Sequence, residues 1–179
     1  MIEIDTKQLE HLRSAVKHIK DGVPRVVTPA VNRALSSGQT AVRREIRKVY
    51  VIKQKDIPTK VHRATRATMK GEIRIEQGML GAEKFIYRPM FRTKRRRPLY
   101  VQIKKAGGGY VKRGFVADAL KGPYQRTTTE RLPIRKIITI GAPIMASQPN
   151  VGPAASKAMG DTLAKRLDHE LQRVLNTAQ

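Results

Sequence analysis

Glu72 and Glu76 bracket a clean alternation, Glu72-Ile73-Arg74-Ile75-Glu76, which sets both carboxylates on one face of a strand. Two such groups could share divalent metal ions for phosphodiester cleavage, yet no His or Asp lies close in sequence to complete that site. Cross-strand pairing with Arg or Lys accounts for them better. The four histidines, His11, His18, His62 and His169, are scattered, without the HxxxH or HExxH spacing that sets two ligands on one helix face. Asp168, His169 and Glu170 are consecutive, so on a helix they point about 100° apart and cannot converge on one ion. Ser14-Ala15-Val16-Lys17 has the S-x-x-K spacing of some acyl-transfer enzymes but lacks the SDN and KTG that complete such a site. Gly107-Gly108-Gly109 lacks the GK[ST] of a phosphate cradle and predicts a turn. The expectation is a protein without catalysis, metal or cofactor.

Binding is the stronger signal. Arg92, Lys94, Arg95, Arg96 and Arg97 form one run, and Lys104, Lys105, Lys112 and Arg113 follow closely. Such residues neutralise phosphates, with log K falling by roughly 0.9 per phosphate as log salt rises. The same run equally suits a solvated loop or a socket for an acidic neighbour. Arg43, Arg44, Arg47 and Lys48 add a second basic set on one side of a helical stretch. Aromatic residues are only 4% with no tryptophan, which disfavours a stacking platform for single strands. Nothing resembles a recognition helix, so any DNA contact is expected to be to the backbone.

The elements that must carry these residues are legible from charge and periodicity. The 179 residues hold 37 Lys and Arg against 14 Asp and Glu, a net +23 that points to an anionic partner. By blocks of thirty the net is +1, +6, +3, +8 and +4, then +1 for the last 29 residues, so the ends are balanced and the middle is basic. With no cysteine, disulfides and thiolate metal sites are excluded. The N-terminus has no basic segment leading into an apolar stretch, and the longest near-apolar run, 137–146, is far short of the roughly 20 residues that span a bilayer. No membrane partner is expected.

Leu9, Leu12, Val16 and Ile19 recur at helical spacing after a possible Asp5 cap and predict a first helix over 6–20. Asp21-Gly22 ends it, and a longer helix from near Pro24 places Val27, Val31, Leu35, Val42, Ile46 and Val49 on one stripe. Pro29 and Ser36-Ser37-Gly38 leave a kink or break as an alternative. From 61 to about 140 the period is two. Leu99, Val101 and Ile103 share a face, and the glycine triplet is expected to turn that strand into a second one over 110–117. Shorter strands are expected at 124–127 and 136–140, and 141–143 and 149–153 read as loop. Met159, Leu163, Leu167, Leu171 and Leu175 fall four apart on a last helix. The fold class is α+β, a single domain over 1–179. Helices fill 1–60, a mostly antiparallel sheet with an extended basic hairpin at 91–117 fills 61–145, and a C-terminal amphipathic helix runs over 152–177.

Several stretches, in chain order, resemble a known family. Ala41-Val42-Arg43-Arg44-Glu45-Ile46-Arg47-Lys48-Val49-Tyr50 with Ile52-Lys53-Gln54-Lys55-Asp56-Ile57 is similar to the helix-to-turn signature of the bacteriophage minor tail protein Z family. Lys104 to Gly109 with Gly114-Phe115-Val116-Ala117, then Leu132-Pro133-Ile134 and Gly141-Ala142-Pro143-Ile144, resemble its hairpin and later stretches. Arg166-Leu167-Asp168-His169-Glu170-Leu171 resembles its closing helix. The family's pattern is interrupted by Pro58 and by Thr127-Thr128-Thr129-Glu130. The resemblance implies a structural virion protein that completes the head-proximal end of a long tail. It implies a homohexameric ring between tail terminator or tube and head connector, assembled in the host cytoplasm, with genome DNA passing through and facing the basic residues. A stand-alone basic nucleic-acid-binding protein without sequence specificity is the alternative.

Overall fold

A computed structural model describes residues 6–76, 78–91, 97–117, 119–120 and 122–177, with side chains from residue 10 onward. The Asp5 cap, the Leu9 side chain, and Arg92, Lys94, Arg95 and Arg96 lie outside the described residues. In chain order the first elements are α1 (Thr6–Ala15), α2 (Gly22–Val49), β1 (Thr59–His62), β2 (Glu72–Ile75), β3 (Met79–Gly81) and β4 (Ile86–Arg88). Then follow β5 (Leu99–Lys104), β6 (Gly107–Val111), β7 (Gly114–Val116), β8 (Pro123–Arg126), β9 (Ile134–Lys136) and β10 (Ile138–Gly141). The last are α3 (Ala142–Ala146) and α4 (Val151–Thr177). The class is α+β. The strands form four small sheets rather than one: β1-β2, β3-β10, β4-β5-β6 and β7-β8-β9, the last three antiparallel.

The chain divides into two compact units, one of Met1–Val42, Thr59–Arg74 and Pro149–Gln179, the other of Arg43–Pro58 and Ile75–Gln148. The first is built on helices. Val26, Val27, Ala30 and Ala34 of α2 pack with Leu163, Leu167 and Val174 of α4 and with Leu12 and Val16 in one apolar core. Here α1 ends five residues short of its expected limit. Beyond Ala15 the bonds from Ile19 to Val16 and from Gly22 to Ile19 are tight three-residue turns. They let the chain reverse into α2, with Asp21 at φ +56° and Gly22 so close that an added Cβ would fall 2.6 Å from the Val16 Cβ.

No break occurs at Ser36-Ser37-Gly38, and α2 runs unbroken through Pro29 as well. The small residues serve a close crossing with α4. The Ser37 hydroxyl donates to the Ala158 carbonyl at 3.3 Å and accepts from Thr162 at 2.9 Å, while Gly38 is buried beside Met159. A Cβ at Gly38 would lie 2.4 Å from Met159 Cγ and 3.0 Å from Ile73 Cδ1. Gly38→Leu should therefore destabilise by about 1–3 kcal/mol through overpacking, read by urea unfolding. A loss under about 0.5 kcal/mol would mean that Met159 swings aside and the crossing is not tight.

The second unit is built on strands. Ala82, Leu99 and Val101 are its buried centre, with Tyr87, Ile103, Val111, Val116 and Ile137 packed against them. The expected strand over 136–140 is divided. Ile137 donates to Pro123 O at 3.3 Å and accepts from Ala82 N at 2.9 Å, so β9 joins β8 while β10 joins β3. Ala142 and Pro143, expected as loop, open α3, because Pro143 at the first helical positions needs no donor.

Candidate functional site

The basic candidates lie in the second unit, whose sequence holds 22 Lys and Arg against six Asp and Glu, a net of +16. Residues 43–49 are the last two turns of α2. Arg44, Arg47 and Lys48 are exposed there and Arg43 is half-buried; Lys48 pairs with Glu45 at 2.7 Å. Cations in a last turn also meet the negative end of the helix dipole, a structural benefit that requires no ligand.

The glycine triplet is not the turn. Gly107, Gly108 and Gly109 are strand β6 itself, paired to Lys104, Gln102 and Val101, and Lys105-Ala106 makes the reversal. Gly108 is required by proximity, since a Cβ there would meet the Val101 carbonyl at 2.3 Å. The Gln102 side-chain amide holds the turn by donating to the Lys104 and Lys105 carbonyls at 3.1 and 3.3 Å. Nor is the second arm continuous over 110–117. It breaks at Lys112-Arg113, with Arg113 at φ +58°, and Gly114 begins β7, which pairs with β8. Gly114 sits against Leu99 and Val111, so the chain can turn there only over a residue without a side chain.

As a result the hairpin charges separate into two groups, one at each end of β5-β6. Lys104 and Lys105 join the end of α2: Lys105 N donates to Val49 O at 2.9 Å, Val51 N donates to Ile103 O at 2.8 Å, and Tyr50 bridges Lys104. They thus extend the Arg44, Arg47 and Lys48 set. Lys112 and Arg113 lie at the opposite end, roughly 20 Å away by strand rise, with exposed Arg97 two residues before the Leu99–Val111 pair. Their turn is tied to β8 by Gln125 donating to Lys112 O at 3.0 Å and Arg126 N to Arg113 O at 3.2 Å. Arg126 stacks over Phe115 at 5.1 Å, and Arg135 donates to Gln125 at 3.1 Å. Sequence spacing missed the joining of α2 and Lys104 because the contact spans more than fifty residues.

The residues considered for catalysis do not assemble. Glu72 accepts from Arg74 at 2.7 Å on its own strand, an intra-strand pair where a cross-strand one was expected. His11, His18, His62 and His169 are all exposed, and Glu170 is buried against Arg173 at 2.7 Å. Among the described residues no three His, Asp or Glu side chains come together as metal ligands. The clearest electrostatic perturbation is structural. Lys136 on β9 is held above its ordinary value by the hydrogen bond and then the charge of Glu83, 2.7 Å away.

A second property was not read from the sequence. Among the described residues every large apolar side chain left exposed lies in this unit, with Phe91 at 74% and Tyr110 at 73% as the extremes. Tyr110 meets Tyr100 edge-on across β5-β6 at 5.4 Å. A basic surface interleaved with bare apolar groups is what an assembly subunit shows before its neighbours cover it.

A family model for prophage minor tail protein Z (GPZ) matches residues 6–177. The chain belongs to this family. It is a structural protein of a phage tail and so a virion component, working with other tail or head proteins. The match reaches beyond the resembling stretches, which run from Ala41 to Leu171, back through α1, which the core of the first unit also includes. Among the described residues no helix of this minor tail protein is long and apolar enough to cross a membrane. No curated protein and no solved structure matches the chain.

Proposed function

We propose that this minor tail protein completes the head-proximal end of a long tail as a homohexameric ring between tail terminator or tube and head connector, with genome DNA passing through. The observation that carries this is the second unit, where a net +16 and the exposed apolar side chains occur together. A closed ring needs two different patches on each copy that fit each other head to tail, and Met90, Phe91, Leu132, Ile138 and Ile144 are exposed apolar side chains available for such contacts. Sliding DNA needs attraction without sequence, which phosphate contacts provide. On this reading Arg44, Arg47, Lys48, Lys104 and Lys105 face the duplex, while Arg97, Lys112 and Arg113 face DNA or an acidic neighbouring ring. The protein carries out no reaction and assembles in the host cytoplasm. We also take 1–179 to act as one domain, because the chain passes between the two units four times.

Counting this chain against the tail-tube protein in purified particles by mass spectrometry tests the reading. About six copies per virion are expected of a single sixfold ring. Absence from particles would remove the structural role and favour a stand-alone nucleic-acid-binding protein.

A further inference from the structure

The first unit contains a concave site that neither the basic sets nor the ring requires. A cavity of about 410 Å³ opens beside α2 and the end of α4, and Arg25, Arg66 and Arg173 all line it. They come from three separate segments of the chain. Arg25 and Arg173 are placed by the packing of Val26 and Val27 against Leu167 and Val174. Arg66 is placed by a turn fastened to α2: Asn32 donates to Ala64 O at 3.1 Å and accepts from Ala64 N at 2.8 Å. The Thr65 and Thr68 hydroxyls, 2.9 Å apart, close that turn.

The three guanidiniums have little to neutralise them. Arg173 is paired with Glu170, whereas Arg25 and Arg66 have no ion pair among the described residues. The remaining walls are apolar at Pro24, Pro29 and Val174 and polar at Thr28, Asn32 and Thr177, with no aromatic ring on which a base could stack. A guanidinium fork fits a carboxylate through two parallel hydrogen bonds, and apolar walls suit the methylenes that carry one. A duplex is a convex cylinder about 20 Å wide and cannot enter such a hollow, whereas an extended peptide can.

We infer that Arg25, Arg66 and Arg173 form a socket for an acidic peptide segment of a partner protein, one that presents Glu or Asp side chains to the three guanidiniums. This site is independent of the DNA-facing role proposed above, and loss of either leaves the other standing.

The test uses the full chain and a fluorescein-labelled hexaglutamate peptide, followed by anisotropy, with a thymidine hexanucleotide as second probe. Arg25→Gln/Arg66→Gln should weaken peptide binding about ten-fold or more. Lys157→Gln/Lys165→Gln removes the same charge from exposed positions of α4 outside the socket, and should change binding less than about two-fold. Arg25→Lys/Arg66→Lys keeps the charge and loses the fork, so its affinity should fall between. Equal weakening by both Gln pairs, or wild-type affinity in the Lys pair, would overturn the socket in favour of general attraction to a basic protein. Tighter binding of the hexanucleotide, lost in Arg25→Gln/Arg66→Gln, would overturn it in favour of a phosphate site. Both arginines are exposed, so thermal midpoints of all variants should match the wild type.

Discussion

Replacing Arg44, Arg47, Lys104 and Lys105 together by Gln should flatten the salt dependence of duplex binding, lowering the slope of log K against log salt by about 3–4. Each cation released from a phosphate contributes about 0.9 to that slope, and four are removed. All four side chains are exposed, and the turn between β5 and β6 is held through backbone carbonyls that Gln102 contacts, so the fold should persist. The measurement is anisotropy of a labelled 20-base-pair duplex from low to physiological salt, with circular dichroism as the control on folding. An unchanged slope would show that DNA does not meet the end of α2. Arg97→Gln/Lys112→Gln/Arg113→Gln, at the other end of the hairpin, then becomes the set to test.

The largest loss of stability is expected from Leu99→Ala. Leu99 is fully buried at the centre of the second unit and packs against β7 through Gly114, whose missing Cβ would lie 2.7 Å from Leu99 Cδ2. Truncation leaves a cavity that Ala82 and Val101 are too small to fill. The cost should be about 3–4 kcal/mol, with a thermal midpoint lower by roughly 10 °C. Urea and thermal unfolding of the full chain read it directly. A loss below about 1 kcal/mol would mean that the sheet collapses onto the site and is not held by Leu99. Because β5 carries Lys104 and starts just after Arg97, the variant should also weaken any binding that needs both basic groups in register.

Much of the architecture was legible where one face of an element is buried. The stripe from Val27 to Val49 and the repeat from Met159 to Leu175 describe α2 and α4, since burial on one side of a helix imposes its period on the sequence. The same holds for Leu99, Val101 and Ile103 on β5, with alternation in place of the helical period. Local rules failed where a residue's role depends on what lies across from it. Ser36-Ser37-Gly38 look like helix breakers, yet α4 lies so close that only small residues fit. Gly107-Gly108-Gly109 look like a turn, yet Gly108 lies in a strand because the facing backbone leaves no room for a Cβ.

The candidate site divides in the same way. Composition, periodicity and local motifs by themselves determined a basic middle between balanced ends and an α+β chain whose ordered stretches resemble phage minor tail protein Z, and the net charge set the expectation of an anionic partner. Those features are sums over residues or patterns within one element, so they need no fold to be read. Only the tertiary structure decided which charges stand together. It brought Lys104 beside the end of α2, set Lys112 and Arg113 at the far end of β6, and gathered Arg25, Arg66 and Arg173 from three segments around one hollow. Coulomb attraction depends on distance in space, and a sequence records only distance along the chain.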